Sequence, residues 1–243
     1  MLKPGLYDEV ISILLDRSLS ESISEIAHKE AINEGDSHNI LSEYLKHIIA
    51  NALEEMTGEN KLDKQIALCN KIIKQIGNLF PATDDKFIST PGQKLLSIIE
   101  SSISHTKKYD RPDTPLSQSC ILAGTRLDPS LESQIKKEIN TASSIDILCS
   151  FIKWSGIRII KDELLKFTQQ PGARLRIITT SYLGATDLKA IDFLSSLPNT
   201  EIKVSYDTRH TRLHAKAYTF HRNTSFGTAY IGSSNISLPA LTD

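Results

Sequence analysis

Two short stretches near the end of the chain hold residue types that do chemistry together. In "RLHAKAYTFH", residues 212–221, His214 and Lys216 stand two apart, and "GTAYIGSSN", residues 227–235, ends in Gly232-Ser233-Ser234-Asn235. Both read as strands, and the turn-rich "HRNTSF" between them makes a hairpin the natural connection. Residues two apart on a strand share a face, so His214, Lys216, Tyr218 and Phe220 are expected to point one way and Leu213, Ala215, Ala217 and Thr219 the other. A sheet face inside an α/β domain is ordinarily apolar. An ionisable His beside a Lys is costly there unless something pairs with them. The pair is therefore expected to open onto a cleft that receives an anion. Gly232 lets a ligand approach the backbone, and Ser233 and Asn235 add hydroxyl and amide donors. A nucleophile or base, a cation and two neutral donors make a phosphate site that calls for no metal and no cofactor. The bland alternatives are a satisfied polar pair at a sheet edge and an ordinary turn, with Ser234 structural.

The elements that must position these groups follow from periodicity. "DPSLESQIKKEINTA" reads as a helix with Asp128 as cap and Pro129 in the first turn, and "SIDILCSF" as a buried strand. A helix "SGIRIIKDELLKFTQQ", a strand "RLRIITTSY", a helix "TDLKAIDFLSSL" capped by Thr186 and a strand "TEIKVSY" come next. Such alternation predicts a mostly parallel sheet flanked by helices. Thr180, Tyr182 and Thr186 lie at the carboxyl end of a strand, where they either line the cleft or cap and pack the loop. Phe151 and Trp154 either stack on bases or pack in the core.

The first hundred residues read as helices. "SHNILSEYLKHIIANALEEM", capped by Ser37, and "KLDKQIALCNKIIKQIGNLF" each carry one apolar stripe, and Pro91 opens a third segment, "QKLLSIIESSI". "HTKKYDRPDTPLSQS" breaks the periodicity and reads as a linker. The expected division is a helical region 1–104, a linker 105–119 with the boundary near residue 113, and an α/β domain 120–243.

The net charge of −1 conceals an asymmetry. Residues 1–113 carry 13 Lys/Arg against 18 Asp/Glu, a balance of −5, and residues 114–243 carry 15 against 11, a balance of +4. Lys203, Arg209, Arg212, Lys216 and Arg222 cluster around a single acid, Asp207. A polyanion is expected to meet the second half. Arg209 and Arg212 fit a nucleic-acid contact or a solvated basic rim. The three cysteines form no CxxC, the histidines at 28, 38, 47 and 105 share no ligand spacing, and no apolar run is long enough for a bilayer span. The N-terminus carries acids that a secretory signal would not tolerate, so a cytoplasmic protein is expected.

His214-x-Lys216 followed across a hairpin by Gly232-Ser233-x-Asn235 resembles the HKD signature of the phospholipase D superfamily. "SFIKWSGIRII", "RIITTSYLGATDLKAI", "SYDTRHTRLHAKAY" and "TAYIGSSNIS" are similar to the N-terminal module that bacterial superfamily II helicases place before a DEAD/DEAH-type motor. The likeness runs over almost the whole chain, "GLYDEVISILLDR" included, yet no Walker A sequence is present.

The resemblance implies a phospholipase D-like α/β/α sandwich with a mixed, mostly parallel sheet, preceded by an all-helical region. It implies metal-independent hydrolysis of nucleic acid, with His214, Lys216, Ser233 and Asn235 catalytic. Lys216, Ser233, Asn235, Arg212 and Arg209 would bind phosphate or nucleic acid. In that chemistry the His attacks phosphorus to give a phosphohistidine that water opens, while a second copy's His protonates the leaving oxygen, which implies a homodimer. A helicase motor in the same or a companion polypeptide is the implied partner.

Two departures stand out. The family's Asp, after four residues beyond the Lys, is His221 here. The later strand and the acid that orients the catalytic His are expected beyond residue 243, so the domain reads as C-terminally incomplete, with Asp207 the nearby candidate acid. A degenerate module that binds nucleic acid or a partner without cutting is the alternative. A phospholipase is disfavoured, since no stretch reads as a membrane-facing amphipathic surface.

Overall fold

A computed structural model describes residues 6, 8–21, 27–80, 86–98, 110–125, 128–207 and 213–242. The chain divides into two compact units, residues 1–96 and 97–243.

The first unit holds helices α1 (Ile13–Glu21), α2 (Ser37–Glu54) and α3 (Lys61–Gly77). The periodic stripes form helices where expected, but they are shallowly covered: Ile66 is buried, whereas Leu41, Leu45, Ile48, Leu62 and Ile76 are exposed. Ser37 is the first helical residue and not the cap. Asp36 takes the cap position, and the Ser37 hydroxyl donates to the Glu34 carbonyl at 2.9 Å. The third expected helix is absent over residues 93–98, and residues 99–103 lie outside the described ones. Leu95, Leu96 and Ile98 are exposed. A short helix with no surface to bury its stripe does not repay its nucleation cost.

The described part of the stretch that reads as a linker, residues 110–119, belongs to the second unit. Asp113 is fastened to the next helix, α4 (Leu131–Thr141): its N–H donates to Gln134 Oε1 at 3.0 Å, and Gln134 Nε2 donates back to its carboxylate at 2.7 Å. The cap of α4 is Ser130, whose Oγ accepts the Ser133 N–H at 3.2 Å. Asp128, the expected cap, instead accepts the N–H groups of Ala123 and Thr125. Both residue types cap well, and the chain's entry angle decides between them.

Then follow β1 (Ser144–Cys149), α5 (Trp154–Thr168), β2 (Arg174–Thr180), a 3-10 turn (Tyr182–Gly184), α6 (Leu188–Ser195) and β3 (Thr200–Ser205). The hairpin β4 (Lys216–His221) and β5 (Gly227–Ile231) and a short α7 (Leu238–Thr242) complete the unit. The sheet order is β3-β2-β1-β4-β5, with β1, β2 and β3 parallel and β4 antiparallel to both its neighbours. Four of the five strands thus run the same way, as alternation predicts.

Side chains alternate across the strands. Ile145, Ile147, Leu175, Ile177, Tyr218 and Phe220 are buried in one core with Ile157, Ile160, Leu164 and Phe167 of α5 and Ile135 and Ile139 of α4. These helices form a layer over that face. On the opposite face Asp146 receives the Arg176 guanidinium in a fork at 2.6 and 2.7 Å, and Ile178 and Ile231 are exposed.

A buried polar cluster rivets the hairpin to α4. The Glu138 carboxylate is fully buried; it pairs with Arg222 and accepts the Tyr230 hydroxyl at 3.0 Å. Arg222 also donates to Thr141 at 2.9 Å and Thr228 at 3.1 Å. Every partner is satisfied, which is the condition on which such a buried pair is tolerated. Among the described residues no helix is long and apolar enough to cross a membrane.

Candidate functional site

The carboxyl ends of β1, β2, β3 and β5 and the start of β4 all lie at one end of the sheet. That is where open α/β sheets place their ligands. Lys216 is the first residue of β4, registered opposite Cys149 of β1, and its side chain goes to the buried face, only 6% exposed. Its ammonium donates to the His214 carbonyl at 2.9 Å and lies 3.1 Å from His214 Nε2. Among the described residues no carboxylate comes within ion-pair distance of it. A buried ammonium with no counter-charge is expensive, and an anion entering beside it removes that cost.

His214 does not continue the strand's face as the alternation suggests. It precedes β4, is exposed, and turns so that its ring meets the Lys216 ammonium. An ammonium only donates, so Nε2 must carry its lone pair at that contact. That lone pair is free to attack only when an anion draws the ammonium away from the ring.

The Gly232–Asn235 loop leaves the ladder after Ile231. Gly232 N–H donates to the Lys216 carbonyl at 3.2 Å, which starts the loop beside the lysine. Ser233 is exposed. The Ser234 carbonyl accepts the Tyr218 hydroxyl at 2.7 Å, and Asn235 Oδ1 accepts the Phe151 N–H at 3.1 Å with the Cys149 thiol at 3.7 Å. With its oxygen so engaged, the Asn235 amide has its NH2 to offer elsewhere. Lys153 N–H donates to the Ile236 carbonyl at 2.7 Å, and Ile236 N–H to the Phe151 carbonyl at 3.2 Å. Here Gly156 has a specific reason: a Cβ on it would stand 2.5 Å from the backbone of Ile236 and Ser237. The loop is thus stitched to the β1–α5 connection.

Burial pushes the Cys149 thiol up, outweighing the opposing hydrogen bonds and the nearby Lys216 charge. Burial also pushes the Tyr218 phenol well above its ordinary range, with Cys149 adding to the effect. Both therefore stay protonated donors. Neither was singled out for the site in the sequence; their contacts join residues up to 86 positions apart, which no local pattern encodes.

The remaining expected residues are sorted by their contacts. His214, Lys216 and the Gly232–Asn235 loop come together. Thr180 and Thr186 hold their loop: Thr186 Oγ1 donates to the Thr180 carbonyl at 2.8 Å, and Thr180 Oγ1 accepts the Tyr182 N–H at 3.1 Å. Thr186 is not the cap of α6. Asp187 takes that position, while its carboxylate accepts the Trp154 N–H at 2.9 Å and Lys153 Nζ at 3.1 Å, so it secures the start of α5. The Trp154 N–H bond, then Lys153, hold this carboxyl below the usual range. Trp154 packs edge-on against Phe193, with Lys189 over its ring, which is the core-packing alternative. The Phe151 side chain is half-buried, and its N–H serves Asn235.

Asp207 follows the end of β3, and β2 and β1 lie between that strand and β4, three strand spacings or about 14 Å. Arg209 and Arg212 lie outside the described residues. Of the other clustered cations, Lys203 pairs with Glu201 at 3.0 Å and Arg222 is locked to Glu138. His221 stands at the far end of β4, five residues or about 16 Å along the strand from Lys216, and 3.5 Å from Asp146. Whatever replaces the Asp there acts on the sheet and not on a bound phosphate. Among the described residues no group of three His, Cys, Asp or Glu is placed to hold a metal ion.

Comparison with curated proteins returns no match. Residues 135–243, from α4 through the sheet and the site to the end of α7, match the family model described as cardiolipin synthase, PLD-like domain. That match supports the phospholipase D superfamily, with its phosphodiester-related activity, for this part of the chain.

Proposed function

We propose that the chain is a metal-independent phosphodiesterase acting on nucleic acid, in the cytoplasm, as the N-terminal module of a helicase or a companion to one. The observation that carries the reading is Lys216: a buried ammonium with no counter-charge among the described residues, 3.1 Å from a histidine nitrogen that must carry a lone pair. His214 Nε2 attacks phosphorus and the bond to the leaving oxygen breaks, with that oxygen taking a proton from the imidazolium of a second His214. Water then attacks the phosphohistidine and gives a proton to that second imidazole, the P–N bond breaks, and the electron pair returns to Nε2. Lys216, Ser233 and Asn235 hold the non-bridging oxygens as charge grows on them. The choice of nucleic acid over other phosphodiesters rests on the +4 balance of residues 114–243 and on the likeness to helicase modules.

One His-x-Lys strand paired with a Gly-Ser-x-Asn end is present in the chain, and attack and leaving-group protonation need groups on opposite sides of phosphorus. A homodimer with a two-fold axis through the cleft supplies the second His214. Mixing His214→Ala chains with wild type should then give heterodimers with little activity, not half.

The reading is tested by cleavage of plasmid and oligonucleotide in EDTA, with anionic lipid vesicles and nucleic acid as rival competitors. Cleavage that persists in EDTA and is inhibited by nucleic acid supports it; a strict need for a divalent metal, or inhibition by the vesicles alone, contradicts it. A second reading, binding without cleavage, is favoured by one observation: among the described residues no carboxylate is within ion-pair distance of His214. Salt-dependent binding of nucleic acid without turnover would select it.

A further inference from the structure

Ser233 and Asn235 offer their donors from beyond the end of the β5 ladder, so the sheet does not fix them. Two buried aromatic residues stand on the same face of β4, Tyr218 and Phe220, 3% and 1% exposed. Only the one nearer the site carries a hydroxyl. A buried phenol is tolerated where its O–H finds a partner, and a phenyl ring would fill the same space without that demand. The Tyr218 hydroxyl donates to the Ser234 carbonyl at 2.7 Å, between the two loop residues expected to bind phosphate, and lies 3.8 Å from Cys149 Sγ. The same thiol is 3.7 Å from Asn235 Oδ1, which the Phe151 N–H also holds.

We propose that Tyr218 is a positioning residue of the phosphate site, fixing the Gly232–Asn235 loop so that Ser233 and Asn235 aim their donors at the oxygens Lys216 attracts. This rests on the phosphate reading of the site. Tyr218 touches no ligand; it acts through the loop backbone. Burial pushes its phenol up, so the hydroxyl keeps its proton to donate. Donors must be held within a fraction of an ångström to be useful, and a hydrogen bond from a packed neighbour is the ordinary means.

The test uses the full chain with Tyr218→Phe, and inorganic phosphate as the probe, followed by phosphorus NMR titration. The dissociation constant for phosphate is expected to rise about tenfold, the effect of one lost hydrogen bond. The pH profile of binding should stay put, because His214 and Lys216 are intact. Ser233→Ala should weaken phosphate binding in the wild-type background and clearly less in the Tyr218→Phe background, since the hydroxyl acts through that loop. A merely structural tyrosine would lower the unfolding midpoint while leaving phosphate affinity and the Ser233→Ala effect unchanged, and that result overturns the proposal. If the wild-type chain itself binds no phosphate, the phosphate reading fails and takes this inference with it; wild-type binding with an unaltered Tyr218→Phe variant sinks the inference alone.

Discussion

Helices α3 and α5 have similar length and similarly amphipathic sequences. Yet α3 buries Ile66 alone, while α5, two residues shorter, buries Gly156, Ile157, Ile160, Leu164, Phe167 and Thr168. The difference lies in what they pack on. Within its unit α3 is tied by side-chain hydrogen bonds, Gln65 Nε2 to the Leu53 carbonyl at 2.8 Å and Asn70 Nδ2 to the Ile88 carbonyl at 3.0 Å, whereas α5 shares one core with the strands of a five-stranded sheet. Periodicity specifies a helix; depth of burial is specified by the surface that receives it. Ion pairs divide the same way: Glu43–Lys46 on α2 is open to solvent, and Glu138–Arg222 is sealed in the α/β unit. An account that puts precise chemistry in the second unit should therefore show it as the rigid one.

The largest expected effect concerns activity. His214→Ala should lower phosphodiester hydrolysis at least about a thousandfold, as removal of a nucleophile does, while His47→Ala in the helical unit leaves the rate unchanged. Equal losses in steady-state assays would mean that the chemistry is not confined to the α/β unit. Next is Glu138→Ala, which leaves Arg222 buried and unpaired and should cost about 3–5 kcal/mol. Urea titration followed by Trp154, the chain's single tryptophan, reads that unit alone. Glu43→Ala should not move the same transition. A Glu138→Ala midpoint equal to wild type would break the comparison.

The smallest effect is on acid stability. The Trp154 N–H and Lys153 lower the Asp187 carboxyl in the folded state, so its contribution is present above the unfolded value of about 3.9 and lost as pH falls through the folded one. Wild type should be more stable than Asp187→Asn at neutral pH, and the two stability curves should converge as pH falls below about 4. Curves that stay parallel through that range would rule out this role for Asp187.

The strands and helices of the α/β unit were legible because their periods switch cleanly between two and 3.6, and short turn-rich loops separate them. The His-x-Lys pair and the Gly-Ser-Ser-Asn end were legible because each is a local spacing. What holds them was not. Tyr218 reaches Ser234, and Cys149 and Phe151 reach Asn235 across 86 and 84 residues, so only the folded register brings them together. Arg222 shows the limit of counting charge: it reads as part of a basic cluster, yet it is buried against a glutamate 84 residues away. Helix starts slipped for a related reason. Asp128 and Ser130, or Thr186 and Asp187, are equally good caps by type, and backbone direction chooses between them. At residues 93–98 a helical pattern had no partner surface, and the helix did not form.

The central claim is that His214 forms a bond to phosphorus beside Lys216 without a metal. Acid-stopped turnover of a phosphodiester in EDTA, followed by intact-mass and peptide analysis under conditions that preserve phosphohistidine, tests it most directly. The account predicts a substrate-derived phosphoryl adduct on the peptide containing His214, present in wild type and absent in His214→Ala. Turnover in EDTA with no adduct at His214, or an adduct that persists in His214→Ala, would contradict it.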